Sequence, residues 1–262
     1  MTLDEIKDII HANKDRWLVG THQGNHGNQG NTLEGLFGIE ENNLRLPDFG
    51  EIELKTRKIE SDSYVTLFHK EPKPQRSVPK LVAALGWRHK LAGTTHSKDE
   101  LSFRSTTPAN RFTSRGFMVR LNDSRIELIF DPTVVNRNEI DSTNAYKTLG
   151  DWLDSCNSRS PHYSTVFPLY WDRTEFELTC IEKLDSTLMC YCATQKKAGV
   201  DYFQIKSAYI LTDFLHERLP ILFQKGCLAI DFDARTGKNH GTKLRVKRSS
   251  LPLLFAKSEI IL

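Results

Sequence analysis

The segment 47–55, Pro-Asp-Phe-Gly-Glu-Ile-Glu-Leu-Lys, constrains the fold of this chain more than any other stretch. Its proline and glycine mark a turn, after which polar and apolar residues alternate. That alternation predicts a half-buried strand, because successive side chains of a strand point to opposite faces. Ile52 and Leu54 would lie on the core face, and Glu53 and Lys55 on the other.

Asp48, Glu53 and Lys55 together form a pattern that suits a metal-dependent nuclease. Residues two apart in a strand lie about 6–7 Å apart on one side, and the turn can fold Asp48 back beside Glu53. Hard Mg²⁺ prefers oxygen ligands, here the two carboxylates and the carbonyl of Leu54. Such an ion activates a water molecule and neutralises phosphodiester charge, while Lys55 would orient that water. The alternative is a solvated strand face that carries charges.

The Glu-x-Lys spacing is weak evidence alone, because the chain contains it three times. The copy at Glu5 lies in a predicted helix, where residues two apart do not share a face. The copy at Glu71 straddles a proline. Only the copy at Glu53 and Lys55 lies in a clean strand alternation, so only this one predicts a site.

Composition excludes few classes of function. The chain has 262 residues, 39% hydrophobic and 26% charged, as in an ordinary soluble globular protein. Its net charge of +3 neither requires nor excludes a polyanionic partner. No secretory signal and no membrane-spanning apolar run are expected, and the five cysteines form no Cys-x-x-Cys pair. These features predict a cytoplasmic protein with free thiols.

The order of predicted elements indicates a mixed α+β fold, here an α/β arrangement in which helices flank a central mixed sheet. Predicted helices cover residues 2–13, about 31–42, 78–91, 143–155, 173–183 and 212–224. Predicted strands cover residues 16–19, 51–57, 64–69, 101–106, 116–121, 124–130, 188–193, 202–209, 227–233 and 242–247. The strand at 64–69 is expected to pair with that at 51–57. The glycine-rich residues 22–31 are expected to form a loop.

Residues 30–37, 40–56 and 66–72, and again 203–213 and 240–246, resemble the MvaI/BcnI family of type II restriction endonucleases. These enzymes are relatives of the mismatch-repair nickase MutH. The resemblance covers both ends of the chain well and the middle, about 75–200, poorly. It implies a restriction-endonuclease-like fold with two lobes around a DNA cleft.

The resemblance also implies the catalytic residues. The family's split motif falls on Asp48, Glu53 and Lys55. A family glutamate that precedes the motif on a helix and faces the metal falls on Glu34. Lys70 takes the place of a lysine that ends the next strand and would contact the scissile phosphate. Two alternatives remain: Glu34 as a first-turn glutamate favoured by the helix dipole, and Lys70 as an ordinary surface lysine.

The implied activity is Mg²⁺-dependent cleavage of double-stranded DNA at a short, GC-rich pseudopalindrome of the CCNGG kind, leaving 5′-phosphate and 3′-hydroxyl ends. Family members act as monomers, and a cognate methyltransferase is expected as a functional partner without being a bound subunit. Residues 1–262 would form one nuclease domain, with a catalytic lobe including about 1–75 and a recognition lobe including about 226–250. The alternatives are a MutH-like strand-nicking repair enzyme and a non-catalytic DNA-binding module. The second is disfavoured by the intact motif.

Sequence recognition is predicted on the predicted hairpin 227–247. Arginine and histidine side chains there would donate to guanine and aspartates would accept from cytosine. The candidate DNA-binding residues are Asp231, Asp233, Arg235, His240, Lys243 and Arg245. The family has an arginine where this chain has Asp233, so the exact target bases are not defined. Arg104, Arg111 and Arg115 would add phosphate contacts. The alternative is a solvated basic hairpin.

Overall fold

The structure is a computed structural model that describes residues 1–25, 27–39, 52–160 and 162–262. The chain divides into two units, each assembled from separate stretches. The first unit contains Met1–Val65, Glu177–Arg218 and Lys247–Leu262. The second unit contains Thr66–Phe176 and Leu219–Val246.

Helices and strands alternate irregularly along the chain. The α-helices are α1 (Leu3–Asn13), α2 (Asn28–Leu36), α3 (Ser77–Leu85), α4 (Leu149–Arg159), α5 (Arg173–Leu184) and α6 (Leu219–Gln224). The strands are β1 (Leu18–Val19), β2 (Ile52–Lys58), β3 (Val65–His69), β4 (Trp87–Arg88), β5 (Leu101–Pro108), β6 (Phe117–Leu121), β7 (Arg125–Phe130), β8 (Leu169–Asp172), β9 (Ser186–Lys197), β10 (Val200–Phe214), β11 (Leu228–Arg235), β12 (Lys238–Val246) and β13 (Phe255–Ile260). Short 3₁₀ helices cover Pro132–Val134, Tyr163–Val166, His216–Arg218 and Arg248–Leu254. Among the helices described here, none is long and apolar enough to cross a membrane.

The first unit is built on a five-stranded mixed sheet. Its strands follow the order β1-β10-β9-β2, and β13 also pairs with β10. β2 runs parallel to β9, whereas β10 is antiparallel to its partners. Helices α1 and α2 cover one face, where Ile6, Ile10 and Leu33 pack with Leu54 of β2 in one buried cluster. Burial of one such side chain contributes about 1.5–3 kcal/mol, so this cluster fixes which face of β2 is apolar.

The second unit contains two antiparallel sheets. One has the order β3-β12-β11-β5-β4, and the other has the order β6-β7-β8. Phe103 of β5 is fully buried, and its ring lies 4.9 Å from that of Phe117 and 5.5 Å from that of Phe232. Because successive side chains of a strand alternate between the two faces, Arg104 lies on the face of the sheet opposite to Phe103.

One predicted strand pairing is wrong. β3 does not pair with β2 but with β12, and the neighbour of β2 is β9. The reason lies in β9, whose residues Leu188–Cys192 are buried without interruption. A continuous apolar run suits a buried strand with a parallel neighbour, and that run follows β2 only far along the chain.

Helix α2 begins earlier and ends earlier than predicted. It starts at Asn28, inside the predicted loop, and ends at Leu36. Thr32 lies inside the helix, where its Oγ1 donates to the carbonyl of Asn28 at 2.6 Å. Asn28 is itself held by tertiary contacts, since its Oδ1 accepts from the amide of His22 at 2.9 Å. Residues 40–42 of the predicted helix lie outside the described residues.

Three further predicted helices have different bounds. The helix expected from Thr143 begins at Leu149, where Thr148 and Asp151 form a capping box. The helix expected over 212–224 is reduced to α6, because β10 continues to Phe214 in pairing with β13. The helix expected over 78–91 ends at Leu85, and β4 follows.

Candidate active site and DNA-binding surface

Strand β2 places Glu53 and Lys55 side by side on the sheet face opposite Leu54. The Nζ of Lys55 is in direct contact with Oε1 of Glu53. Both side chains are largely buried, at 15% exposed for Lys55 and 9% for Glu53. A buried charge without a partner costs several kcal/mol, so each of these two groups compensates the other.

The register of the sheet explains this placement. Glu53 lies beside Thr187 and Lys55 beside Met189 on the parallel strand β9. Both neighbours are fully or almost fully buried, at 0% and 1% exposed. Glu53 and Lys55 therefore lie beside closely packed residues of β9, which limit the positions that their charged groups can take.

Asp48, the third member of the sequence motif, lies outside the described residues. Leu54, whose carbonyl is a predicted metal ligand, is in the described strand and directly follows Glu53. Within residues 1–25, 27–39, 52–160 and 162–262, no group of three or more His, Cys, Asp and Glu side chains is arranged to hold a metal ion. The described part of the chain thus supplies Glu53 and Leu54 of the predicted ligand set.

Glu34 lies in the second half of α2 and is half-buried. A methyl group built on Gly30 would lie 3.6 Å from Oε1 of Glu34 and 4.0 Å from Oγ1 of Thr56. Gly30 of α2 therefore faces both Glu34, one turn further along the helix, and Thr56 of β2. Because α2 starts at Asn28, Glu34 is not in its first turn, and the alternative that the positive helix end explains this glutamate is wrong.

Lys70 belongs to the second unit and directly follows β3. Its backbone amide donates to the carbonyl of Thr242 at 2.9 Å. Its carbonyl accepts from Nε1 of Trp171 at 2.8 Å. The backbone of Lys70 is therefore fixed to strand β12 and to β8.

The predicted recognition hairpin is formed by β11 and β12 and is longer than expected. Its two-residue turn lies between Arg235 and Lys238, and Gly237 adopts a φ of 70° there. Such a left-handed turn residue favours glycine and suits a tight hairpin. Asp231 lies opposite Lys243 across the two strands.

Each aspartate of β11 lies between one polar side chain of β5 and one of β12. Asp231 accepts from Oγ1 of Thr106 at 2.5 Å and pairs with Arg245 at 3.3 Å. Asp233 pairs with Nε of Arg104 at 3.1 Å and with Nζ of Lys243 at 3.3 Å. Arg235 pairs with Glu100 at 2.6 Å. We call the surface formed by these side chains the charged face.

Two groups at the charged face, Asp233 and the neighbouring His240, have shifted pKa values. Burial acts to raise the pKa of Asp233, but the positive charge and hydrogen bond of Lys243 and the charge of Arg104 outweigh it and hold the pKa below its usual value. Loss of hydration lowers the pKa of His240; Asp233 opposes this, and Lys238 and the nearby arginines lower it further. This shift favours the neutral imidazole, which can both donate and accept a hydrogen bond.

Sequence reasoning missed the part that β5 takes in this face. Arg104 and Thr106 of β5, together with Glu100 directly before the strand, contribute to it, although they lie more than a hundred residues before the hairpin. Arg104 was predicted only as a general phosphate contact. Polar residues at the alternating positions 102, 104 and 106 were the available signal, but the partner strand of β5 is not evident from sequence.

The prediction that Arg115 contacts phosphate is wrong. Arg115 is 7% exposed and pairs at 2.5 Å with Asp141, which is fully buried. Its guanidinium lies 4.3 Å from the ring centre of Trp87 and 5.3 Å from that of Trp152. A cation enclosed in this way stabilises the interior of the second unit and does not face a ligand.

Comparison of folds defines the class of protein. The structure is similar to that of a restriction endonuclease MvaI–cognate DNA substrate complex, with a TM-score of 0.75, 20% identity and 100% coverage of both chains. It is also similar to restriction endonuclease MvaI in the absence of DNA, with a TM-score of 0.48, 21% identity and 100% coverage of both chains. The first of these similarities shows the fold of a restriction endonuclease, as predicted. A search of curated proteins finds no match.

Comparison of sequence defines the family. Residues 4–255 match the MvaI/BcnI restriction endonuclease family. The chain belongs to this family, which confirms the resemblance found in the sequence, and it is a type II site-specific deoxyribonuclease.

Proposed function

We propose that this nuclease is Mg²⁺-dependent and cuts both strands of double-stranded DNA at a short, GC-rich pseudopalindrome of the CCNGG kind. It leaves 5′-phosphate and 3′-hydroxyl ends and acts as a monomer. The observation that carries the proposal is the contact of Glu53 with Lys55 on the buried strand β2. A carboxylate and an ammonium group fixed side by side combine a metal ligand with a group that can orient water.

The proposed metal ligands are Asp48, Glu53 and the carbonyl of Leu54. All three donors are oxygen atoms, which fits the preference of Mg²⁺, and Glu53 and Leu54 are adjacent on a rigid strand. Bound Mg²⁺ supplies a lowered pKa for water and compensation of charge on the phosphodiester.

The remaining catalytic roles belong to side chains of this chain. Lys55 orients the attacking water and balances the negative charge that develops on phosphate oxygens. Its contact with Glu53, a proposed metal ligand, holds the ammonium group beside the proposed metal site. Glu34 is a further proposed carboxylate, on helix α2, whose Leu33 packs with Leu54 of β2, and Lys70 contacts the scissile phosphate.

DNA is recognised on the charged face, in a recognition lobe that includes about 226–250, whereas the catalytic lobe includes about 1–75 of the single nuclease domain 1–262. The proposed contact residues are Asp231, Asp233, Arg235, His240, Lys243 and Arg245. Their mixture of cationic donors and carboxylate acceptors supports contact with base edges, because phosphates alone would require only donors. The fold neighbour is a complex with cognate DNA, which supports double-stranded DNA as the substrate. A cytoplasmic methyltransferase would protect the same sites in the host.

The test is digestion of a DNA of known sequence, followed by sequencing of the ends. We expect cuts at one recurring site in Mg²⁺ and none in Ca²⁺ or EDTA, with 5′-phosphate and 3′-hydroxyl ends. On supercoiled plasmid, open circles should appear first and then become linear. Arrest at open circles would instead identify a strand-nicking enzyme. Cuts without a common sequence would contradict site-specific cleavage.

The variant Asp48→Ala tests the site itself. We expect it to abolish cleavage while specific DNA binding in Ca²⁺ is retained, because the charged face is unchanged. Cleavage at the wild-type rate would remove Asp48 from the catalytic site.

A further inference from the structure

We infer that Arg104 of β5 determines specificity by recognising one G·C base pair together with Asp233. This inference rests on the proposed recognition of DNA by the charged face. It adds a third strand to that surface and assigns a base pair to two named side chains.

The register of the sheet brings these residues together. Asp233 of β11 lies directly opposite Arg104 of β5, and Nε of Arg104 is 3.1 Å from its Oδ1. On the other side, Nζ of Lys243 is 3.3 Å from its Oδ2. The three side chains are 43%, 30% and 20% exposed for Arg104, Asp233 and Lys243. The guanidinium is thus the most accessible group of the three.

The two aspartates of the charged face differ in one respect. Oδ1 of Asp231 accepts a hydrogen bond from Thr106. Oδ1 of Asp233 is buried and accepts no hydrogen bond from any described residue, because Arg104 approaches it without hydrogen-bond geometry. Buried acceptors without a hydrogen bond are rare in proteins. This oxygen has an acceptor position available for a donor that the protein does not provide.

A G·C pair offers the complementary groups in the major groove. Guanine presents N7 and O6 as acceptors for arginine, and cytosine presents its N4 amino group to a carboxylate. If Arg104 turns to guanine, it uncovers Oδ1 of Asp233, which can then accept from the cytosine of the same pair. Lys243 stays on Oδ2 and keeps the carboxylate ionised. One side-chain movement therefore satisfies both partners.

The experiment compares Arg104→Ala, Asp233→Asn and the control Arg120→Ala. Arg120 is also an exposed arginine in an ion pair, 2.8 Å from Glu127 and 58% exposed, but it lies on the other sheet of the second unit. Once the target site is mapped, binding in Ca²⁺ is measured for the cognate duplex and all its single-base-pair variants. A further cognate set carries 7-deazaguanine at each guanine in turn.

Arg104→Ala and Asp233→Asn should lose discrimination at the same G·C pair by about tenfold to a hundredfold. Wild-type enzyme should lose binding to the duplex with 7-deazaguanine at that pair, and Arg104→Ala should be insensitive to it. Arg120→Ala should bind like wild type. Thermal unfolding of each variant verifies that the fold is intact.

Two results would overturn the inference while leaving the proposed function in place. Weakening that is equal for all sequences, with a smaller salt dependence, would make Arg104 a phosphate contact. Unchanged binding would show that the ion pair of Arg104 and Asp233 takes no part in DNA recognition. Failure of wild-type enzyme to prefer any DNA sequence would instead overturn the proposed function together with this inference.

Discussion

Strand β2, which carries the proposed catalytic pair, and the charged face place their charged side chains in different ways. On β2, Glu53 and Lys55 are two residues apart, and the strand alternation alone puts them in contact. On the charged face, Asp233 contacts Arg104 of β5 and Lys243 of β12, which are remote in sequence. The first arrangement is local and largely buried, and the second is assembled from three strands and partly exposed.

This difference has a functional meaning. Phosphodiester hydrolysis is the same reaction at every site, so its groups can be encoded in one short and rigid segment. Base recognition needs several donors and acceptors spread over a surface as wide as a few base pairs. A surface built from three strands allows each contact to change by one substitution without disturbing the proposed catalytic pair.

The largest effect is expected for Lys55→Ala. Loss of the ammonium group should lower the single-turnover cleavage rate by about a hundredfold or more, because it removes the group that orients water and balances charge. Binding of cognate DNA in Ca²⁺ should change little. Lys58→Ala, at the exposed end of the same strand, is the matched control and should cleave normally.

Lys55→Arg separates chemistry from folding in this experiment. It keeps a positive charge beside Glu53, so stability should be retained while cleavage remains impaired. A cleavage rate close to wild type for Lys55→Ala would show that the local pair is not catalytic.

The second effect concerns stability and compares buried with exposed ion pairs. Asp141→Ala should lower the free energy of unfolding by about 3–5 kcal/mol, because it leaves Arg115 buried without its partner. Urea denaturation measures this change. Asp154→Ala is the control, since its pair with Arg137 is exposed, and its effect should be small. Equal effects of the two substitutions would refute the structural role of the buried pair.

A smaller effect is expected for Arg245→Ala on the charged face. Loss of this donor should cost about 1–3 kcal/mol in discrimination at one base pair, while the cleavage rate at saturating enzyme changes less. Competition binding on single-base-pair variants checks this. If the substitution weakens binding to all sequences alike, Arg245 contacts the DNA backbone and not a base, which would contradict its proposed role on the charged face.

The smallest effect is on pH dependence. The pKa of Asp233 is lowered in the folded state, so its contribution to stability is present above the unfolded pKa of about 3.9 and is lost as pH falls through the folded value. The difference in unfolding free energy between wild type and Asp233→Asn should therefore be constant from pH 7 to 5 and should decrease below about pH 4. Urea denaturation along this series measures it. A difference that grows on acidification would reverse the assigned direction of the pKa shift.

The parts of the fold that follow local rules were predictable from the sequence. The alternation in β2, the capping box of Thr2 and Glu5 on α1, and the hairpin of β11 and β12 depend only on neighbouring residues. The membership of the family followed from motifs of the same local kind.

Features that depend on distant partners were not predictable. The start of α2 is set by contacts of Asn28 with residues of other segments. Arg104 and Arg115 look alike in sequence, yet one is exposed beside Asp233 and the other is enclosed by two tryptophans. Burial distinguishes them, and burial is a property of the assembled sheets. The position of Asp48 relative to Glu53 stays a prediction.

The parallel pairing of β2 with β9 has a consequence for the time at which activity arises during synthesis. Glu53 is made early, but the strand that supports it is Ser186–Lys197, and β10 in turn needs Phe255–Ile260 at its edge. Pairings between such distant segments form late in folding. A nascent chain that has emerged only as far as β2 lacks β9, the strand beside which Glu53 lies. We therefore expect Glu53 to gain the support of β9 only after at least residues 186–197 have been synthesised.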